Sequence, residues 1–102
     1  MKLLLTLSDG NTALVERDGL GLRIVESSYG FIHPPKTRAY YLDESSLQGG
    51  PIHTHEYELD GKGQPTGRGI PSRSGRSIHR YQQITDEDFQ QRRHDADHGN
   101  PQ

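Results

Sequence analysis

The chain has 102 residues, enough for one small domain and too few for a second independent core. Its 28% hydrophobic residues together with its 12 glycines fall short of the roughly 45–50% that apolar residues and glycine make up in globular domains, so the core should be thin. A net charge of −2 excludes a global field drawing the molecule to nucleic acid or membrane, and the absence of cysteine excludes disulfides and thiolate metal sites.

Charge is distributed unevenly. Residues 1–60 carry 5 Lys/Arg against 9 Asp/Glu, residues 61–85 carry 5 against 0, and residues 86–102 carry 2 against 5. A local basic block is thus flanked by acid on both sides. The apolar run in MKLLLTL stops at Ser8-Asp9-Gly10, too early for a secretory signal, and no stretch has the length of a membrane span. These features predict a cytoplasmic protein. A thin core also favours burying more surface in a homodimer or against a partner, because ordering the backbone costs roughly 1–2 kcal/mol per residue.

In residues 2–7, Leu3, Leu5 and Leu7 alternate with Lys2, Leu4 and Thr6, the period-two pattern of a strand with one buried face. Ser8 to Asn11 supplies turn chemistry, and residues 12–17 form a second strand. Asp18-Gly19 suits a type I′ hairpin turn before a third strand carrying Leu20, Leu22 and Ile24. The chain therefore opens as a three-stranded antiparallel meander. Phe31-Ile32-His33 precedes Pro34-Pro35, whose missing amide donors confine this segment to an edge or loop. Residues 38–42 (RAYYL) read as a fourth strand with Tyr40-Tyr41 half-buried, closed by Asp43-Glu44-Ser45-Ser46, and Gly49-Gly50-Pro51 marks another turn.

The strand Ile52 to Leu59 carries HTHEYEL. Alternation places His53, His55, Tyr57 and Leu59 on one face, with the last two expected to point that face toward the core. Residues 61–77 are rich in glycine, proline, serine and threonine, with Ile70 as the one aliphatic residue, and predict a long, flexible basic loop. Residues 78–84 suit a last strand. Thr85 followed by Asp86, Glu87 and Asp88 reads as a capped helix N-terminus, with a helix over 86–95 anchored by Phe89. The fold class is β-rich α+β: a small antiparallel sheet of five to six strands, one short C-terminal helix and a long Gly/Pro/Ser/Arg loop. One domain covers 1–97, and 98–102 is a disordered tail.

Three chemistries deserve weighing. Imidazoles at i and i+2 on a strand can share a metal ion, with His33 or His79 as a third ligand; Glu56 and Glu58 project to the other face. The His-x-His strand of the cupins shares this feature with HTHEYELDG, but Glu58 follows His55 too closely for the cupin pattern and Leu47 stands where a glycine belongs. Metal-independent RNA cleavage would use His53, His55 and His79 as acid and base, with Arg76, Arg80 and Tyr81 beside them. Finally, Lys62, Arg68, Arg73, Arg76 and Arg80 follow one another with no intervening acid, the footprint of phosphate binding, although no stretch matches a nucleotide-binding P-loop.

The leading expectation is a non-enzymatic binding or accessory protein. Its ligand would be a polyanionic surface, nucleic acid or an acidic protein, engaged through Lys62, Arg68, Arg73, Arg76, Arg80 and Tyr81. The alternative is a small hydrolase with a histidine-centred site at His53, His55 and His79, either RNase-like or dependent on a metal held by His53 and His55. No cofactor motif is present, and none is expected.

Overall fold

The computed structural model describes residues 1–27 and 38–97. Phe31-Ile32-His33, Pro34-Pro35 and the tail 98–102 lie outside the described residues. Among the described residues, six antiparallel strands follow one another: β1 (Lys2–Leu7), β2 (Thr12–Asp18), β3 (Gly21–Ser27), β4 (Arg38–Leu42), β5 (Pro51–Leu59) and β6 (Pro65–Gln83). Each pairs with the next, and β6 pairs with β1, so the sheet closes into a barrel. The α-helix α1 (Asp86–Asp97) follows β6. Among the described residues, no helix is long and apolar enough to cross a membrane.

The meander forms as its patterning requires. Leu3 pairs with Val15 and Leu5 with Ala13, and these inward side chains join Leu7, Leu22, Ile24, Leu42 and Ile52 in one buried core. At the first turn, Asp9 Oδ1 accepts the Asn11 amide at 3.0 Å while Gly10 takes φ 88°, a conformation that suits a residue without Cβ. The second turn differs from the Asp18-Gly19 type I′ expectation. Asp18 pairs with Gly21, and the glycine with positive φ is Gly21 (141°) rather than Gly19. Asp18 Oδ1 instead accepts the Leu20 amide at 2.8 Å, a side-chain-to-backbone bond that makes the turn without inverting Gly19.

Two expectations are overturned together. The open sheet is a closed barrel, and the long loop at 61–77 is largely strand, because β6 is 19 residues long and begins at Pro65. Residues 65–77 pair with β5, and residues 78–83 pair with β1. Main-chain ladder bonds need no apolar side chains, so a segment too polar for a core can still be a strand when a neighbour offers its edge. The glycines and serines that suggested a loop fall where the register shifts, between the pairs Glu56–Ile70 and Glu58–Thr66 and between His53–Arg73 and Pro51–Ser77. Such bulges bend the strand, and Gly67 supplies a positive φ of 72° at the first of them. Pro71 pairs only with β5, an edge placement that does not require its missing amide.

The orientation of β5 is also reversed relative to the expected one. Thr54 pairs with core-facing Leu42, and Glu56 with Tyr40, which packs against the core. Ile52 is buried in that core, so the even positions face the barrel interior and His53, His55, Tyr57 and Leu59 face outward. Tyr57 finds its apolar surroundings in a second, outer layer: its ring meets that of Tyr41 edge-on at 5.3 Å. Ala39 and Tyr41 are buried on this same outer side. One cavity is lined by Asp18, Gly19, Leu20 and Tyr41 together with Gln64 and Pro65, so the tip of the β5–β6 hairpin lies alongside the β2–β3 turn.

The predicted helix forms and runs to Asp97. Thr85 Oγ1 accepts the Asp88 amide at 3.0 Å, satisfying one of the orphan donors at the helix start. Phe89 is fully buried and Lys2 Nζ stands 5.3 Å from its ring centroid, while Lys2 also reaches Glu16 and Asp86. Among the described side chains of α1, Phe89 is the one that is buried against the barrel. A cleft lined by Leu4, Leu14, Glu26 and Arg92 remains between helix and barrel.

Candidate functional site

The outward face of β5 and its neighbours gathers most of the chemistry. His53 lies directly opposite Arg73 on β6, and His55 lies between Tyr41 on β4 and Pro71 on β6. Because the two histidines are two positions apart on one strand, their Cα atoms are separated by about 6.6 Å, given a rise near 3.3 Å per residue. Arg73 is the diagonal neighbour of His55, within reach of a long side chain.

Asp43 completes this group. Its Oδ1 stands 2.6 Å from His55 Nδ1. A carboxylate can only accept, so Nδ1 carries the proton, and the Nε2 of the neutral ring keeps its lone pair. The residues that hold Asp43 form a short 3₁₀ turn at Glu44–Gln48, clamped onto the backbone of His53. The Asp43 amide donates to the His53 carbonyl at 2.9 Å, the His53 amide donates to Ser46 Oγ at 3.0 Å, and Ser46 Oγ donates back to the His53 carbonyl at 3.4 Å. Ser46 is 1% exposed, a buried hydroxyl whose hydrogen bonds all go to this strand.

Behind the histidines, the buried Tyr41 hydroxyl donates to Asp18 Oδ2. Burial, reinforced by that carboxylate, pushes the phenol well above its ordinary pKa, so the group is a hydrogen-bond donor throughout the neutral range. Gly69 passes so close that a Cβ there would lie 2.8 Å from Tyr57 Cζ and 2.9 Å from His55 Cβ. The absence of a side chain at this position lets β6 approach the ring and the imidazole.

The basic residues separate into distinct environments. Arg76 is committed: its Nε meets Asp9 Oδ2 at 2.5 Å and, with the Asn11 amide, holds the Asp9 carboxyl down to about 2. Lys62 sits in the turn where Asp60 Oδ1 accepts the amides of Lys62 and Gln64. Arg68 lies between Gly67 and Gly69 at the first bulge, and Arg80 pairs with Thr6 across to β1. Among the described residues, Lys62, Arg68, Arg73 and Arg80 form no ion pair. Tyr81, opposite Leu5, is 46% exposed beside Arg80.

No protein family matches this chain, and no curated protein or solved structure is significantly similar to it. Its own geometry is therefore the sole guide to its chemistry. His53, His55 and Arg73 come together, whereas His79 lies on the far stretch of β6, at the register shift where the strand pairs with β1. Among the described residues, no group of three or more His, Asp or Glu is arranged to hold a metal ion. Glu56 faces inward and is ion-paired with Arg38, so it cannot serve as a ligand beside the histidines. Asp43 and Ser46 were hidden in the sequence as an ordinary turn; the one signal for them is that DESS closes a strand whose partner begins only a few residues later.

Proposed function

We propose that the protein is a cytoplasmic binding module for a linear polyanion, with nucleic acid as the ligand class. The observation that carries this reading is that, among the described residues, Lys62 in the β5–β6 turn and Arg68, Arg73 and Arg80 along β6 form no ion pair. A single anion would be met by convergent charges. Charges strung along an extended strand, at about 3.3 Å per residue, instead match a ligand that is itself a chain of charges. His53, directly opposite Arg73, adds an imidazole to the same track.

The test is binding of a fluorescent single-stranded RNA across a salt series, by anisotropy. Each phosphate contact contributes about 0.7 to the slope of log affinity against log salt for a single strand. Replacing Arg68, Arg73 and Arg80 by alanine should weaken binding and flatten that slope by about 2. Binding indifferent to salt and to those arginines would refute the reading, and a polyglutamate peptide bound more tightly than RNA would assign the track to an acidic protein.

A further inference from the structure

We propose that Asp43 and His55 form a general-base pair that, with His53 and Arg73, cleaves RNA held on the outward face of β5 and β6. The proposal rests on the polyanion reading above and adds an activity to it. Three features of the site support it.

First, His55 is poised in one tautomer. Asp43 at 2.6 Å holds the Nδ1 proton, which leaves Nε2 as the acceptor. Second, the carboxylate is built in rather than opportunistic. Asp43 belongs to a turn fixed by three hydrogen bonds to a single residue, His53, with the buried Ser46 as its pin. That arrangement fixes the position of the carboxylate relative to the strand bearing both imidazoles, which is what a pre-organised base requires. Third, a second imidazole and a guanidinium stand beside the first. His53 is two residues away on the same face, and Arg73 is directly opposite it. Spacing of about 6.6 Å between the histidine Cα atoms leaves room for a phosphate between the rings.

The step follows from these placements. His55 Nε2 takes the proton of a ribose 2′-hydroxyl, and the 2′-oxygen forms a bond to the adjacent phosphorus. The bond from phosphorus to the 5′-oxygen breaks, and protonated His53 delivers its proton to that leaving oxygen. Arg73 neutralises the charge that accumulates on the non-bridging oxygens. The products are a 2′,3′-cyclic phosphate and a 5′-hydroxyl, and exchange of one proton through water returns both histidines to their starting states. No metal or co-reactant enters the balance.

The experiment uses the full chain, a mixed-sequence single-stranded RNA in the presence of EDTA, and the 2′-deoxy strand of the same sequence as a binding probe that lacks the nucleophile. Expected are cyclic-phosphate ends from RNA, no cleavage of the deoxy strand and a bell-shaped dependence of rate on pH. His55→Gln should lower kcat about 10²–10⁴-fold. Asp43→Asn, which preserves size, should lower kcat with little change in KM and should displace the pH profile; a merely structural carboxylate would leave the profile in place. Thermal melts identify any variant that has lost its fold, and His53→Ala then supplies an independent test at an exposed position. Wild-type protein that binds the deoxy strand without cleaving RNA would overturn the dyad and leave the binding reading standing. Cleavage that survives His55→Gln would overturn it as well. Failure to bind either strand would overturn the binding reading, and this proposal with it.

Discussion

Gly69 offers the sharpest check on how β6 lies across the outer face. A Cβ at this position would meet Tyr57 Cζ at 2.8 Å, His55 Cβ at 2.9 Å and the Tyr57 hydroxyl at 3.0 Å, all closer than ordinary contact. The backbone there is not in the left-handed region, so alanine is conformationally allowed and would by itself stabilise a strand by about 0.5–1 kcal/mol. Overpacking costs about 1–3 kcal/mol, so Gly69→Ala should be destabilising by about 1 kcal/mol net from the midpoints of the two ranges. Gly67→Ala provides the contrast: nothing lies within 4 Å of its Cβ, but φ is 72°, and the left-handed conformation alone costs about 1–2 kcal/mol. Urea unfolding should show a lowered midpoint for both variants with the slope unchanged. A Tyr57→Ala background separates them, because removing the ring deletes two of the three close contacts of Gly69 and none of the strain at Gly67. The close approach of β6 to Tyr57 would be refuted by a neutral Gly69→Ala, or by a penalty that Tyr57→Ala fails to reduce.

Two further outcomes follow from the packing and the ion pairs. Phe89→Ala should cost about 3–5 kcal/mol or release α1 from the barrel, read by urea unfolding and by loss of helical circular dichroism, since no other apolar residue of the helix is buried among the described residues. The Asp9 carboxyl should titrate near 2 by NMR and return toward 3.8 in Arg76→Ala, where its principal partner is gone. The depressed value means that this contribution to stability is complete above about 3.8 and is lost as pH falls through about 2.

What the sequence by itself determined was local. Alternation of Leu3, Leu5 and Leu7 specified β1 and its buried face, Thr85 with three acids specified the start of α1, and Phe89 was legible as its anchor because it stands alone in a polar helix. The tertiary structure decided everything that depended on a neighbour. Residues 65–77 lack the apolar pattern of a strand and become one because β5 supplies a hydrogen-bonding edge, while glycine and serine fill the bulges that bend them. The inward face of β5 could not be read from Tyr57 and Leu59, since Tyr41 and Ala39 offer a second buried layer outside the barrel; the register with Leu42 and Tyr40 settles it. Arg76 resembled its fellow arginines until Asp9, 67 positions away in sequence, claimed it. His53 and His55 were visible from the start as a pair. Their partners were not, because Arg73 is aligned with them by strand register and Asp43 by a turn hydrogen-bonded to the backbone of His53, long-range relations that no local pattern encodes.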